Sequence, residues 1–532
     1  MYTMKNKIWI AVVMIFIMAF SSCTEDLDVQ PLDDDATTAE TVYDSVASYR
    51  QVLAKLYAGY ALTGQQGPAG DADIQGIDEG FSNYLRQYWV AQVLPTDVGV
   101  VAWADPGLPA YNYQSWGSSN DFVMAMYSRI FYEITLTNEF IRESSEGKLS
   151  SRGFSESQKE RIRTFRAEAR FLRALSYWHA LDLYGNVPFV TEKDDVGAFQ
   201  PEQISREDLF TYIEEELKAI EDEMAEPRQN EYARADQAAV WTLLAKLYLN
   251  AEVYTGEPRY EDCITYCNKV MDAGYTLEDE YQDLFLADNH TANGIIFPIA
   301  FDGNHSQTWG GTTFIISAAI GGNMNPTNFG VAGGWAGHRV TKQFVQKFGQ
   351  DTTWDSRAMF FTDGQSLEIN DVAIFQQGYA VSKFKNITST GQSGSNSTFP
   401  DTDFPMFRLA DVYLMYAEAT VRSGAGDEAR AVQLINDLRE RAFGDDYSAH
   451  GEITTGDLDK QFILDERARE LYWEGHRRTD LIRYGHFTTS DYTWAWKGGI
   501  QEGRATDDHY RLYPIPASDL NANPKLTQNE GY

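Results

Sequence analysis

Three tryptophans sit where a hydrophobic core would not place them. Trp103 lies in Trp103-Ala104-Asp105-Pro106-Gly107, Trp335 in Gly333-Gly334-Trp335-Ala336-Gly337, and Trp309 between Thr308 and Gly310-Gly311. Such neighbours leave a large ring partly exposed. An exposed indole can cover the C–H face of a neutral sugar, while a few fixed polar groups meet its hydroxyls. Arg86 and Asp105 accompany Trp103 in one loop-rich stretch, and Phe301 and Asp302 accompany Trp309 and Trp335 in another. Each has a structural alternative: a ring packed against a loop, or Arg86 in an ion pair. Trp178, Trp241 and Trp473 fall on amphipathic runs and read as core.

Other chemistry finds little support. The 78 carboxylates make acidic pairs near any loop a matter of chance. There is no H-E-x-x-H, no G-x-S-x-G and no Walker A loop, and the eight histidines are scattered, so no catalytic residue is assigned. Asp71-Ala72-Asp73-Ile74-Gln75-Gly76 begins like an EF-hand loop, but its twelfth position is Ser82 and no flanking helices are evident. No metal site is assigned. Cys263 and Cys267 stand four apart on a helical run, a poor geometry for a disulfide, and read as small buried apolar residues.

The elements that must position these residues are mostly helical. Periodicity predicts helices over about Glu40–Gly59, Asp121–Glu143, Gln158–Tyr184, Arg206–Met224, Ala235–Tyr254 and Tyr260–Ala273. Trp241, Leu244, Ala245, Tyr248 and Ala251 are spaced like the first helix of a tetratricopeptide unit, with Tyr260–Ala273 as its partner. Phe171–Tyr184, and Ala410–Ser423 followed by Asp427–Ala442, read as further units. Phe462–Tyr484 reads as a single charged helix whose Glu/Arg pairs form a salt-bridged face. Between the helices lie two long insertions, Gly64–Asn120 and Asn293–Arg408, with short β-like runs at Ile295–Ile299 and Thr312–Ile316. The expected fold is therefore mainly α, a tetratricopeptide-like scaffold with long loop insertions and a few short strands. Long loops on a rigid scaffold are where binding concentrates.

The chain begins with Lys5 and Lys7, an apolar run from Ile8 to Phe20, and Ser21-Ser22-Cys23. This is a secretory signal over residues 1–22, and the cysteine placement reads as a lipoprotein signal with Cys23 as the lipidated residue. A plain secretory peptide is the alternative. The acidic stretch over 23–39 reads as a flexible tether. The formal net charge of −34 disfavours nucleic acid as a partner and leaves a neutral ligand unaffected.

Four segments resemble the SusD/RagB family of Bacteroidetes outer-membrane lipoproteins. They are Arg166–Ala174 running into Tyr184-Gly185-Asn186-Val187-Pro188, Phe407–Ala419, Glu466–Tyr484, and Pro514-Ile515-Pro516 through Gln528-Asn529-Glu530-Gly531-Tyr532, where Glu530 replaces a frequent Pro. The resemblance implies a SusD-like N-terminal helical region over 40–290 and a RagB/SusD-like C-terminal region over 291–532, each with one insertion. It implies a surface-exposed, lipid-anchored outer-membrane protein that is not an enzyme and needs no cofactor beyond the acyl chains, palmitate among them, on Cys23. Its partners would be a neutral glycan, with starch-type α-glucan foremost, and a SusC-like TonB-dependent transporter. The Leu94–Gly107 segment resembles starch-binding members, in which aromatics, an Arg and polar neighbours form the site. A RagB-like peptide receptor and, more remotely, a surface glycan hydrolase are the alternatives.

Overall fold

Capping residues and apolar periodicity divide the chain into helices joined in sequence. In a computed structural model the described residues are 39–69, 72–197, 199–349 and 352–532. The signal segment, Cys23, nearly all of the tether and Asp71 of the EF-hand-like run lie outside them. Contacts divide the chain into two units, Met1–Tyr49 and Arg50–Tyr532. In the first, the described part holds a short helix, Ala39–Val42, and the rings of Tyr43 and Tyr49 lie 4.9 Å apart. The second holds the helical scaffold and both insertions.

The main helices are α1 (Val46–Ala61), α2 (Tyr84–Val93), α3 (Asp121–Glu143), α4 (Glu156–Leu183), α5 (Arg206–Ile220), α6 (Gln237–Leu249) and α7 (Tyr260–Met271). They continue with α8 (Gly311–Ala318), α9 (Leu409–Ser423), α10 (Glu428–Phe443), α11 (Lys460–Leu471) and α12 (Arg477–Arg483). Several starts are fixed by side-chain caps. The Asn120 carboxamide accepts from the Phe122 and Val123 amides, and Asp236 accepts from Ala238 and Ala239. Ser155 and Gln158 form a reciprocal capping box. Successive helices pack as α3 on α4, α4 on α5, α6 on α7, α7 on α9 and α9 on α10. This is the expected mainly α, tetratricopeptide-like arrangement. Among the described residues every sheet has only two strands. The relevant strands are β1 (Val100–Val101), β2 (Ile295–Ile299), β3 (His338–Arg339) and β4 (Phe404–Arg408), with β1 antiparallel to β3 and β2 to β4.

Three expectations need correction. The Phe462–Tyr484 segment is two helices, because Trp473 and Gly475 take left-handed backbone angles (φ 68° and 80°) and turn the chain between α11 and α12. Its charges are salt-bridged, as expected, but largely to other elements. Glu466 and Glu470 are fully buried and reach out to other elements: Glu466 to Arg357 (2.7 Å) and Arg439 (2.8 Å), Glu470 to Arg408 (2.6 Å), Arg441 (2.6 Å) and Arg357 (3.0 Å). Buried charges persist only where they are paired and hydrogen-bonded in this way. Thr312–Ile316 is part of helix α8, not a strand; it is buried, and a short buried apolar run has no periodicity to tell helix from strand. Trp241 is half-buried, with its indole N–H donated to Glu221 at 2.7 Å. Trp178 and Trp473 are core residues, as expected. Cys263 and Cys267 are buried and unbridged, their sulfurs 3.9 Å apart.

Candidate functional site

The two insertions meet through β1 and β3. Beyond that ladder the Ala102 amide donates to the Gly337 carbonyl at 2.9 Å, which sets Trp103 beside the Gly333–Gly337 run. The run itself is fastened to the C-terminal end of α8: the Trp335, Ala336 and Gly337 amides donate to Ser317, Ile320 and Ala318 carbonyls at 2.7, 2.8 and 2.8 Å. Side chains would not fit here. A Cβ on Gly334 would lie 2.3 Å from the Ile320 oxygen, and one on Gly337 would lie 2.6 Å from the Trp103 ring. These glycines are therefore what lets the strand lie flat against helix and indole.

The other end of α8 is placed by Asn83. Its carboxamide oxygen accepts from the Arg86 and Gly311 amides, both at 3.0 Å, and its NH2 donates to the Ala61 carbonyl at 2.6 Å. One buried side chain thus joins the end of α1, the start of α2 and the start of α8. Trp309 lies two residues before that helix.

As a result Trp103, Trp335 and Trp309 stand in a row. Ring centroids are 6.2 Å apart in each successive pair, with planes tilted by 47° and 53°. All three residues are half-buried. The row is backed by buried rings: Phe314 and His338 lie 6.1 and 5.6 Å from Trp103, and Phe399 lies 5.0 Å from Trp309. His338 stacks on Trp89 at 4.6 Å, and burial holds its imidazole well below the usual histidine range, so it is a neutral platform.

Arg86 joins the same cluster and, among the described residues, is in no ion pair. Its guanidinium donates to the Gly80 carbonyl (2.9 Å) and the Trp309 carbonyl (3.3 Å) and lies 4.4 Å over the Phe314 ring. Burial lowers its pKa to about 10, opposed by the nearby carboxylates of Asp105 and Asp78, so it remains a cation at neutral pH. Its buried Nε has no hydrogen-bond partner among the described residues. Asp105 is exposed at the edge.

Two predicted residues are placed otherwise. Phe301 is buried, and its ring lies so close under Gly311 that a Cβ there would be 2.3 Å away, which makes it a support for α8. Asp302 is exposed, but its carboxylate caps its own turn, accepting from the Asn304 amide at 2.8 Å and lying 3.0 Å from His305 Nδ1. Sequence reasoning missed Asn83, Phe314, His338 and Phe399. An aromatic in an apolar run carries no mark that distinguishes a ring behind a site from any other core ring.

The three tryptophans and Arg86 thus lie together as a candidate stacking surface, and among the described residues no cluster of His, Cys, Asp and Glu could hold a metal ion. Residues 362–532 match the model of the SusD family. Over 98% of its length the chain is 36% identical to the starch-binding protein SusD of Bacteroides thetaiotaomicron, across 98% of that protein. The chain belongs to the SusD family. It is also 25% identical to SusD-like protein P25 of Formosa agariphila, over 98% of this chain and 99% of the other. Among solved structures, the surface glycan-binding protein A of Bacteroides fluxus superposes with TM-score 0.69 at 20% identity, covering 91% of this chain and 99% of that one. A laminarin-binding SusD-like protein superposes with TM-score 0.68 at 21% identity, covering 92% and 100%. These two share the SusD fold. The segments that resemble the family build its scaffold: Glu168 holds Arg234 and Tyr57, and Glu418 holds Arg422 and Arg483.

Proposed function

We propose that this SusD-family protein is a cell-surface receptor that captures a neutral glycan on the Trp103–Trp335–Trp309 row and passes it to a TonB-dependent outer-membrane transporter. The observation that carries the reading is the row itself: three half-buried tryptophans, contributed by two insertions, evenly spaced at 6.2 Å. Stacking on such rings suits the C–H faces of consecutive sugars, and Asp105 at the exposed edge and Arg86 beside Trp309 are the polar groups we assign to their hydroxyls. The preferred ligand is a starch-type α-glucan, in keeping with the starch-binding relative at 36% identity. The protein acts by binding, with no chemical step. Lipidation at Cys23 would hold it at the outer face of the outer membrane.

The test is affinity electrophoresis against neutral polysaccharides, with Trp103→Ala and Trp335→Ala variants alongside. Retardation by one glycan, lost in a folded tryptophan variant, supports the reading. Retardation unchanged in both variants removes the row as the site. Retardation by no glycan, together with binding of a peptide panel, replaces the sugar by a peptide ligand.

A further inference from the structure

We infer a second saccharide-binding subsite, separate from the tryptophan row, in the trough beside Tyr232. This inference rests on the glycan-receptor reading above and extends it.

The trough is a cavity of about 420 Å³ between the 228–236 loop, the Gly274–Thr276 turn and the segment from His290 to Pro298 that includes β2. Ala233 and Pro298 are shared with a smaller hollow of about 180 Å³ that reaches Ala300 and Ser306, in the loop that carries Trp309. The two hollows therefore lie side by side along β2.

Three observations point to a ligand there. First, Tyr232 is an aromatic held in place yet half exposed, at 50%. Its hydroxyl donates to Asp403, and its ring meets His290 edge-on, centroids 6.0 Å apart at 73°. A buried tyrosine is ordinary; one fixed at both its hydroxyl and its edge and left open to solvent is a stacking platform. Second, the loop that presents it is held in an unfavourable backbone shape. Arg228 and Ala233, neither of them glycine, have φ of 64° and 62°. Such residues persist where surrounding contacts over-determine them, and they concentrate at ligand sites. The contacts here are explicit: the Arg228 amide donates to Asp236 at 2.6 Å and its guanidinium to the Gly274 carbonyl at 2.6 Å.

Third, the trough is electrically balanced. Its lining carries two arginines, Arg228 and Arg234, against two carboxylates, Glu231 and Asp236. Arg234 is taken up by Glu168 and lies 3.5 Å from Glu231, while Asp236 accepts from the backbone and from Tyr275 at 3.3 Å. In a chain of net charge −34 a site of net zero charge favours a neutral polar ligand over an ionic one. An exposed ring with amide and hydroxyl groups around it, from Asn293, Thr276 and Tyr275, is the composition that a sugar ring needs.

A polymer long enough to touch both the row and the trough gains from simultaneous engagement, and a trisaccharide does not. The test uses the full chain in detergent micelles, with amylopectin as the long probe and maltotriose as the short one. Tyr232→Ala removes the ring. Thr276→Arg fills the trough while leaving the Tyr232–Asp403 hydrogen bond intact. Both variants should lower amylopectin affinity roughly tenfold, the order expected for one stacked ring, and leave maltotriose binding at the row unchanged. Amylopectin affinity unchanged in both variants, with loss in Trp103→Ala, overturns the trough and leaves the row standing. A loss confined to Tyr232→Ala also overturns it, since that effect would run through Asp403. No binding of either probe by the unsubstituted protein overturns the row and the trough together.

Discussion

The indole of Trp103 donates its N–H to the main-chain carbonyl of Trp335 at 2.9 Å. One candidate stacking residue thereby fixes the backbone that presents the next, and the two rings hold their mutual tilt without a ligand. A surface ordered in advance loses little side-chain freedom on binding.

Trp103→Ala should remove both a ring and this hydrogen bond. By analogy with base stacking, the loss is about 1–3 kcal/mol of binding. Trp103→Phe restores a ring but not the N–H, and should fall between. Calorimetric titration with the best glycan, on variants whose circular dichroism is unchanged, gives the order.

Gly337→Ala tests the fit beneath that ring. The new methyl would lie 2.6 Å from the Trp103 ring carbons, so the indole must move. Glycan affinity should fall several-fold, as for the partial loss of one stacked ring, with little change in melting temperature. Unchanged affinity would show that the ring's position is unimportant.

Arg357 is fully buried among Asp355, Glu466 and Glu470 at 2.7–3.0 Å. Arg357→Met removes the cation that Asp355 pairs with and one of several that serve Glu466 and Glu470, and should cost about 3–5 kcal/mol, read as a lower denaturation midpoint. By contrast, Arg50→Ala breaks the exposed pair with Glu231 and should cost under about 1 kcal/mol.

Three buried imidazoles set a pH dependence. Burial lowers His179 to about 3 and places His338 and His476 well below their ordinary value. Below about pH 6.5 the unfolded chain binds protons at these positions that the folded chain does not. Their contribution to stability is therefore full above about 6.5 and declines as pH falls toward the folded values. Asp403, raised to about 6 by burial, acts in the opposite sense, its folded form favouring the proton between about 4 and 6. The difference between variants isolates one group: between about pH 6.5 and 5, His338→Phe should lose less thermal stability than the parent.

Cys23→Ala should abolish palmitate labelling of the full chain and move it from the membrane fraction to the soluble fraction. Persistent membrane association in this variant would replace the lipid anchor with another attachment.

The helices were legible because their apolar spacing and caps act locally: Asp121–Glu143 is found with the expected bounds, and α9 and α10 differ from the expected pair by one residue at each displaced end. The break at Trp473–Gly475 was not legible, since Glu and Arg at helical intervals serve an isolated helix as well as they serve distant partners. The three tryptophans that the structure brings together stood out by their small and polar neighbours, glycine above all, whereas Arg86, in Tyr84-Leu85-Arg86-Gln87, carried no such mark. Phe301 was misjudged because its burial depends on Gly311 lying directly over its ring, a tertiary fact. Asn83 gave no signal, because its three partners, Ala61, Arg86 and Gly311, come from positions that only the folded chain brings together.

Trp103 and Trp335 are separated by 232 positions and are brought together where the β1–β3 ladder joins the two insertions. The second insertion carries Trp309 and Trp335 by itself, and only the first brings Trp103 to them. A chain whose first insertion is out of place would keep two of the three rings, so the full length of the row reports that both insertions have reached their places.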